Sequence, residues 1–259
     1  MGALTGYCEL DRKINGLQNG LLYVIGARPS MGKTSFSMNI IRHICFDETR
    51  SVALFSLEKP RRGVIENLVE FEAGIESYKY KWGQIDNEDW DRIAAAALNM
   101  KKYNLIIDDT AAISVEKVRE KCIKYKDENK DLSAIFVDYL QLMSQPEEYP
   151  THKKEVEHII KGLKELAKEI DLPIIILSQL SRAPENRKDH RPILTDFRDA
   201  KGIEKIADTI IFLYRDEYYN MDTDAKGIVE VIVAKNTFNP GGTVELSWDS
   251  KSRRVGNLL

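Results

Sequence analysis

Residues 26–34 read GARPSMGKT, a GxxxxGK[ST] loop that follows the apolar run LLYVIGA at 21–27 and leads into a helical segment beginning near Lys33. The order strand, glycine-containing loop, helix gathers backbone N–H groups and the positive end of a helix dipole around an anion. Gly26 and Gly32 allow close backbone approach, Lys33 can reach β and γ phosphates, and Thr34 can ligand Mg²⁺. The loop therefore predicts a phosphate cradle formed by Gly26, Ala27, Arg28, Pro29, Ser30, Met31, Gly32, Lys33, Thr34 and Ser35, with a nucleoside triphosphate and Mg²⁺ as its ligands.

The rest of the chain supplies a sheet for that loop. Apolar runs at 51–56 (SVALFS), 104–109 (NLIIDD), 133–138 (SAIFVD) and 172–178 (LPIIILS) read as further strands, separated by segments of helical periodicity at about 57–73, 86–101, after Ser114, and at 153–169. Ser114 is the expected N-cap of its helix. Alternating buried strands and helices predict an α/β fold with a largely parallel central sheet and helices on both faces. TIIFLY at 209–214, GIVEVIVA at 227–234 and TVELSW at 243–248 add strands, the last two joined at a Pro-Gly-Gly turn and expected as an antiparallel extension at the sheet edge. The polar stretch after Ser178 is expected to be a solvent-facing loop.

The 259 residues fit one large domain, with 43% hydrophobic and 31% charged residues and a formal net charge of -3. No global basicity points to nucleic acid, although a local loop or channel can still hold it. Three cysteines and four histidines lack metal-ligand spacing, which predicts reduced thiols. No apolar run is long enough to span a bilayer and the first residues lack a signal-peptide core, so the expected compartment is the cytoplasm, without a membrane partner.

Hydrolysis needs more than a cradle. Asp138 ends an apolar strand, the position expected of a Walker B carboxylate that holds Mg²⁺ together with Thr34. Glu58, just beyond the second strand, can orient or deprotonate an attacking water, or be a solvated acid at a helix start. Gln179, after LPIIILS, has an amide suited to sensing a γ phosphate, and Gln141 reads as a supporting polar group. Tyr139, Tyr218 and Tyr219 are read as packing groups, and Arg182, Arg187, Lys188 and Arg191 as surface charges.

The segments TGYCELD, GLQNG, GARPSMGKTSF, FSLEK, FVDYLQLM, LSQLSR, RPILTDFRD and FLYRDEYY, in that order, resemble the ATPase domain of bacterial and phage replicative hexameric DNA helicases, a RecA-like family. The resemblance runs from Thr5 to about Trp248. It implies a single RecA-like P-loop NTPase domain over 1–259, with the family's N-terminal helical domain and linker helix absent. It also implies catalytic roles for Lys33, Glu58, Asp138 and Gln179, with Lys235 acting on a neighbouring subunit's nucleotide. Arg198, Asp199 and Lys201 match a loop that follows single-stranded DNA.

The implied function is an ATP-hydrolysing replicative helicase core translocating on single-stranded DNA as a homo-oligomeric, hexameric ring, with a replication loader and a primase as further partners. Two departures stand out. Lys201 replaces a small family residue, and Thr237 occupies the position of the family's arginine finger, where a fixed bidentate cation is lost. Thr237 motivates the alternative, a nucleotide-dependent DNA-binding or assembly protein with weak or no motor activity.

Overall fold

The apolar runs come together in one nine-stranded sheet, in the order β3-β2-β4-β5-β1-β6-β7-β8-β9. Its strands are β1 (Leu22–Ala27), β2 (Ser51–Ser56), β3 (Leu105–Asp108), β4 (Leu132–Asp138), β5 (Ile174–Gln179), β6 (Thr209–Tyr214), β7 (Ile228–Asn236), β8 (Gly242–Asp249) and β9 (Arg254–Asn257). This computed structural model describes residues 2–145, 149–197 and 201–258.

The first six strands pair in parallel and the last three in antiparallel fashion. β1, β2, β4 and β6 are buried along their whole length, as strands covered on both faces must be. Side chains alternate across the pleat. Tyr23, Ile25 and Ala27 of β1 enter one core with Phe36 and Ile40, whereas Leu22 and Val24 enter the other with Ile160 and Leu163.

The helices are α1 (Cys8–Ile14), α2 (Lys33–Arg42), α3 (Arg61–Ala73), α4 (Ser77–Trp82), α5 (Asn87–Met100), α6 (Val115–Glu128), α7 (His152–Ile170) and α8 (Lys201–Ile206). α1, α2 and α3 cover the first face, and α6 and α7 the second. α7 buries Val156, Ile159, Ile160, Leu163, Leu166, Ala167 and Ile170, the stripe its periodicity predicts. Ser114 caps α6 by accepting the Lys117 N–H at 3.3 Å, and Thr151 caps α7 by accepting the Lys154 N–H.

Three features depart from expectation. The antiparallel extension is a three-stranded meander, because β9 pairs with β8 and takes the edge. β9 is four residues long and buries only Val255, too little for a period-2 pattern to be visible. α1 forms from a polar seven-residue stretch because the Asp11 carboxylate accepts the N–H and hydroxyl of Thr5, both at 2.8 Å, which fixes the turn before it. Beyond α2 the helix widens into a π-helical turn, His43–Asp47.

No helix among the described residues is long and apolar enough to cross a membrane. Cys8, Cys45 and Cys122 are unpaired thiols.

Candidate nucleotide site

The strand order does most of the assembly. Ser56 of β2 lies beside Asp138 of β4, and Ala27 of β1 beside Gln179 of β5, so four parallel strands end at one edge of the sheet. The turns leaving β1 and β2 carry the phosphate loop and Glu58, while Asp138 and Gln179 are the last residues of β4 and β5. In an open α/β sheet this carboxyl edge is where ligands bind.

A cavity of about 470 Å³ opens there. Ala27, Arg28, Pro29, Ser30, Gly32, Lys33, Thr34 and Ser35 line it from the loop, and Glu58, Tyr139 and Gln179 from neighbouring strand ends. Gly26 and Met31 lie outside the lining. Met31 is buried in the core, with its backbone N–H bonded to Arg28 O at 3.3 Å. A Cβ on Gly26 would stand 2.9 Å from the Phe212 ring and 3.0 Å from Leu180, so side chains of the fold itself press on that glycine.

Gly32 is the N-cap of α2 at φ 91°, and a Cβ there would lie 2.7 Å from the Trp248 ring. Its freedom serves both a left-handed backbone and a close approach.

The charges beneath the cavity are coupled. Asp138 is buried; desolvation raises its pKa above the usual carboxylate value, Lys33 opposes that rise and Glu58 adds to it. Desolvation lowers the Lys33 pKa, while Asp138 and Glu58 draw it back up. The Lys33 ammonium also stands 4.6 Å from the centroid of the Tyr139 ring, a cation–π distance. Thr34 Oγ1 donates to Asp138 Oδ2 at 3.3 Å, and Asp138 Oδ1 is buried without a hydrogen-bond partner. A hydroxyl and a carboxylate with an unsatisfied buried oxygen are hard oxygen donors that fit Mg²⁺, which completes its shell with water and substrate phosphate.

Gln141 holds the end of β5 in place. Its amide donates to Ser178 Oγ at 3.0 Å and to Gln179 O at 3.2 Å, and its carbonyl accepts the Gln179 N–H at 3.2 Å. The backbone that carries the Gln179 side chain into the cavity is thus fixed from both sides.

Several residues contribute that sequence reasoning did not anticipate. Tyr139, read as packing, lines the cavity. Arg215, just after β6, Trp248 of β8, and Ser250 and Arg253 of the turn between β8 and β9 also line the cavity. The Arg215 guanidinium lies 4.4 Å from the Trp248 ring and donates to Ser30 O at 3.1 Å and to Glu217 at 2.6 Å. The only sequence signal for this part of the lining was the FLYRDEYY segment.

Arg187 and Arg191 are structural anchors, where free surface charges were expected. Arg187 forks onto Asp196, which is 1% exposed, and Arg191 onto Glu230 at 2.9 and 2.5 Å. Lys188 is exposed, and so is Arg182. Tyr219 stacks between His190 and Tyr214 as a packing group, whereas Tyr218 is half exposed against its edge.

Lys235 lies away from this cavity; its ammonium donates to Glu204 O at 2.7 Å and Ala207 O at 2.6 Å. Thr237 is tied to Asp208 O through its N–H at 3.0 Å and its hydroxyl at 2.9 Å. Arg198 and Asp199 lie outside the described residues, and Lys201 is the first residue of α8.

The model of the DnaB-like helicase C-terminal domain matches residues 2–257. The replicative DNA helicase DnaB of Buchnera aphidicola subsp. Acyrthosiphon pisum is 40% identical over 257 residues, covering 99% of this chain and 56% of the relative. That of Geobacillus stearothermophilus is 39% identical over 258 residues, covering 99% and 57%. A solved DnaB-like replicative helicase, described with its interactions with primase, superposes with a TM-score of 0.95 at 35% identity, over 100% of this chain and 62% of that one. The chain spans a little over half the length of these curated relatives.

Proposed function

The chain belongs to the DnaB-like helicase C-terminal domain family, and we propose that it is the ATP-hydrolysing motor of a replicative DNA helicase, translocating on single-stranded DNA within a homohexameric ring. The observation that carries this reading is the convergence of Lys33, Thr34, Glu58 and Gln179 on one cavity, with Asp138 buried beneath it. Primase and a helicase loader are the further partners of this reading; primase stands in the description of one solved relative.

Lys33 places its ammonium against β and γ phosphate oxygens, and the N–H groups of the loop and α2 receive the remaining charge. Thr34 and Asp138 would hold Mg²⁺, which when bound neutralises charge building on the phosphate oxygens. Glu58 orients the attacking water and accepts its proton. Gln179 reports the γ phosphate to the loop that follows β5. Lys235 serves a neighbouring subunit's nucleotide, and Arg198, Asp199 and Lys201 follow the DNA backbone, a sequence-independent contact sensitive to salt.

The test measures ATP turnover with and without single-stranded DNA, together with oligomer mass and strand separation. DNA-stimulated turnover with unwinding by an assembled ring is the expected result. Nucleotide binding without turnover, persisting after assembly, would leave only a nucleotide-dependent assembly protein.

A further inference from the structure

Three arginines line the nucleotide cavity, and their surroundings differ. Arg28 is bonded to Glu185 at 3.1 and 2.5 Å and to Leu180 O at 2.9 Å. Arg215 is held by Glu217 and Ser30 O. Both guanidinium groups therefore have a carboxylate partner. Arg253, in the turn between β8 and β9, makes no hydrogen bond or ion pair with any described residue.

The turn itself explains why that guanidinium is left over. Asp249, the nearest carboxylate along the chain, accepts the Lys251 N–H at 2.9 Å and the Ser252 hydroxyl at 2.5 Å, so both of its oxygens are engaged in shaping the turn. Arg254 turns the other way and donates to Phe71 O and Glu72 O, which anchors β9 against the end of α3. Between these anchored neighbours Arg253 adopts φ 56°, a left-handed conformation that is unfavourable for a non-glycine residue. Arg253 also lines a second, smaller cavity with Thr34, Ser35 and Lys59. It thus stands on the phosphate side of the site, facing the N-terminal turn of α2.

We infer that Arg253 is a cis-acting phosphate ligand: its guanidinium binds non-bridging oxygens of the polyphosphate bound by the same chain. The inference rests on the nucleotide reading of the site. It gives the site a planar, bidentate cation from its own subunit, where position 237, the site of the family's trans-acting arginine, holds a threonine bonded to Asp208 O. A short side chain whose hydroxyl is engaged within its own chain supplies no such cation.

The test is equilibrium binding of ADP, a non-hydrolysable ATP analogue and adenosine to the parent protein and to Arg253→Gly, Arg253→Lys and Lys33→Ala. Glycine suits the left-handed backbone at 253, so Arg253→Gly removes the guanidinium without unfolding the turn; an unchanged thermal midpoint checks this. The expected result is a loss of about 10- to 100-fold in ADP and analogue affinity for Arg253→Gly, the range of a charged hydrogen bond. Arg253→Lys should lie between that variant and the parent, with adenosine binding unchanged throughout.

If Arg253→Gly binds both phosphorylated ligands within twofold of the parent while Lys33→Ala loses them, the inference is overturned and the nucleotide reading stands. If Lys33→Ala binds as the parent does, both fall. Equal weakening toward adenosine overturns the assignment to phosphate. Mixing Arg253→Gly with Lys33→Ala chains separates cis from trans: restored binding overturns the cis assignment.

Discussion

The parallel and antiparallel halves of the sheet are built by different rules, and they contribute different things to the site. β1, β2, β4 and β6 are buried on both faces, so their interiors are largely apolar and the reacting groups gather at their carboxyl ends and in the turns that follow. β7 and β8 bury alternate residues, Val229, Val231 and Val233 on one and Val244, Leu246 and Trp248 on the other. The other face of β8 is largely exposed and polar, while that of β7 packs Ile232 and Ala234 against the second core only in part. The parallel half thus gathers Lys33, Glu58, Asp138 and Gln179 at one edge, while the antiparallel half contributes a wall, Trp248 and Arg253, and displays Lys235 elsewhere. Reacting groups come from strands packed on both sides, where a displaced backbone would disturb two cores at once.

The sharpest way to break this contrast is Lys33→Ala. It should weaken ATP binding by about 1,000-fold, since a partly buried ammonium coupled to Asp138 and Glu58 is lost, as read by nucleotide titration. An effect under tenfold would remove the parallel edge from the phosphate site. Glu58→Gln comes next: turnover should fall by about 100-fold or more, with ATP affinity kept within a few-fold. Turnover equal to the parent's would exclude Glu58 as the group that activates water.

Packing sharpens the same comparison. Ile176→Ala, in the doubly covered β5, should cost about 2–5 kcal/mol in denaturant unfolding, and Ile232→Ala, a partly buried residue of β7, clearly less. Equal losses would mean that the two halves are not covered differently.

The smallest effect concerns acid. Burial would raise the Asp108 carboxyl, but donations from the Lys121 ammonium at 2.5 Å, the Tyr125 hydroxyl at 2.7 Å and the Thr110 N–H at 3.1 Å outweigh it and hold the pKa at about 2. The folded value lies below the unfolded one. Its contribution is therefore complete above about pH 4 and lost as pH falls toward 2. Stability curves of the parent and Asp108→Asn should converge over that window; parallel curves would show that the carboxylate is not held this way.

Sequence alone carried the parallel half well. Long apolar runs with abrupt polar ends mark β2, β4 and β6 closely, and the GxxxxGK[ST] pattern marks the loop because phosphate binding demands that spacing. The part of the site's wall that β8 and the turn after it supply was not legible. Trp248 reads as an ordinary inward residue of an alternating strand, and only the tertiary fold brings its ring within 2.7 Å of where a Cβ on Gly32 would be. Arg253 and Arg254 are indistinguishable in sequence, yet one is anchored to α3 and the other faces the cavity. Arg187 and Arg191 looked like solvated charges because their carboxylate partners, Asp196 and Glu230, lie 9 and 39 residues away along the chain.

The seating of Trp248 against Gly32 ties the beginning of the chain to its end. The cradle is specified within the first 35 residues, but its wall is in place only when β8 and β9 have joined the sheet. Contacts of such high sequence separation form late and at a large cost in loop closure. A chain lacking β8 and β9 would carry the whole motif without the wall that Trp248 and Arg253 supply. By linkage, ligand at 100 times its dissociation constant should deepen the native well by about 2.7 kcal/mol.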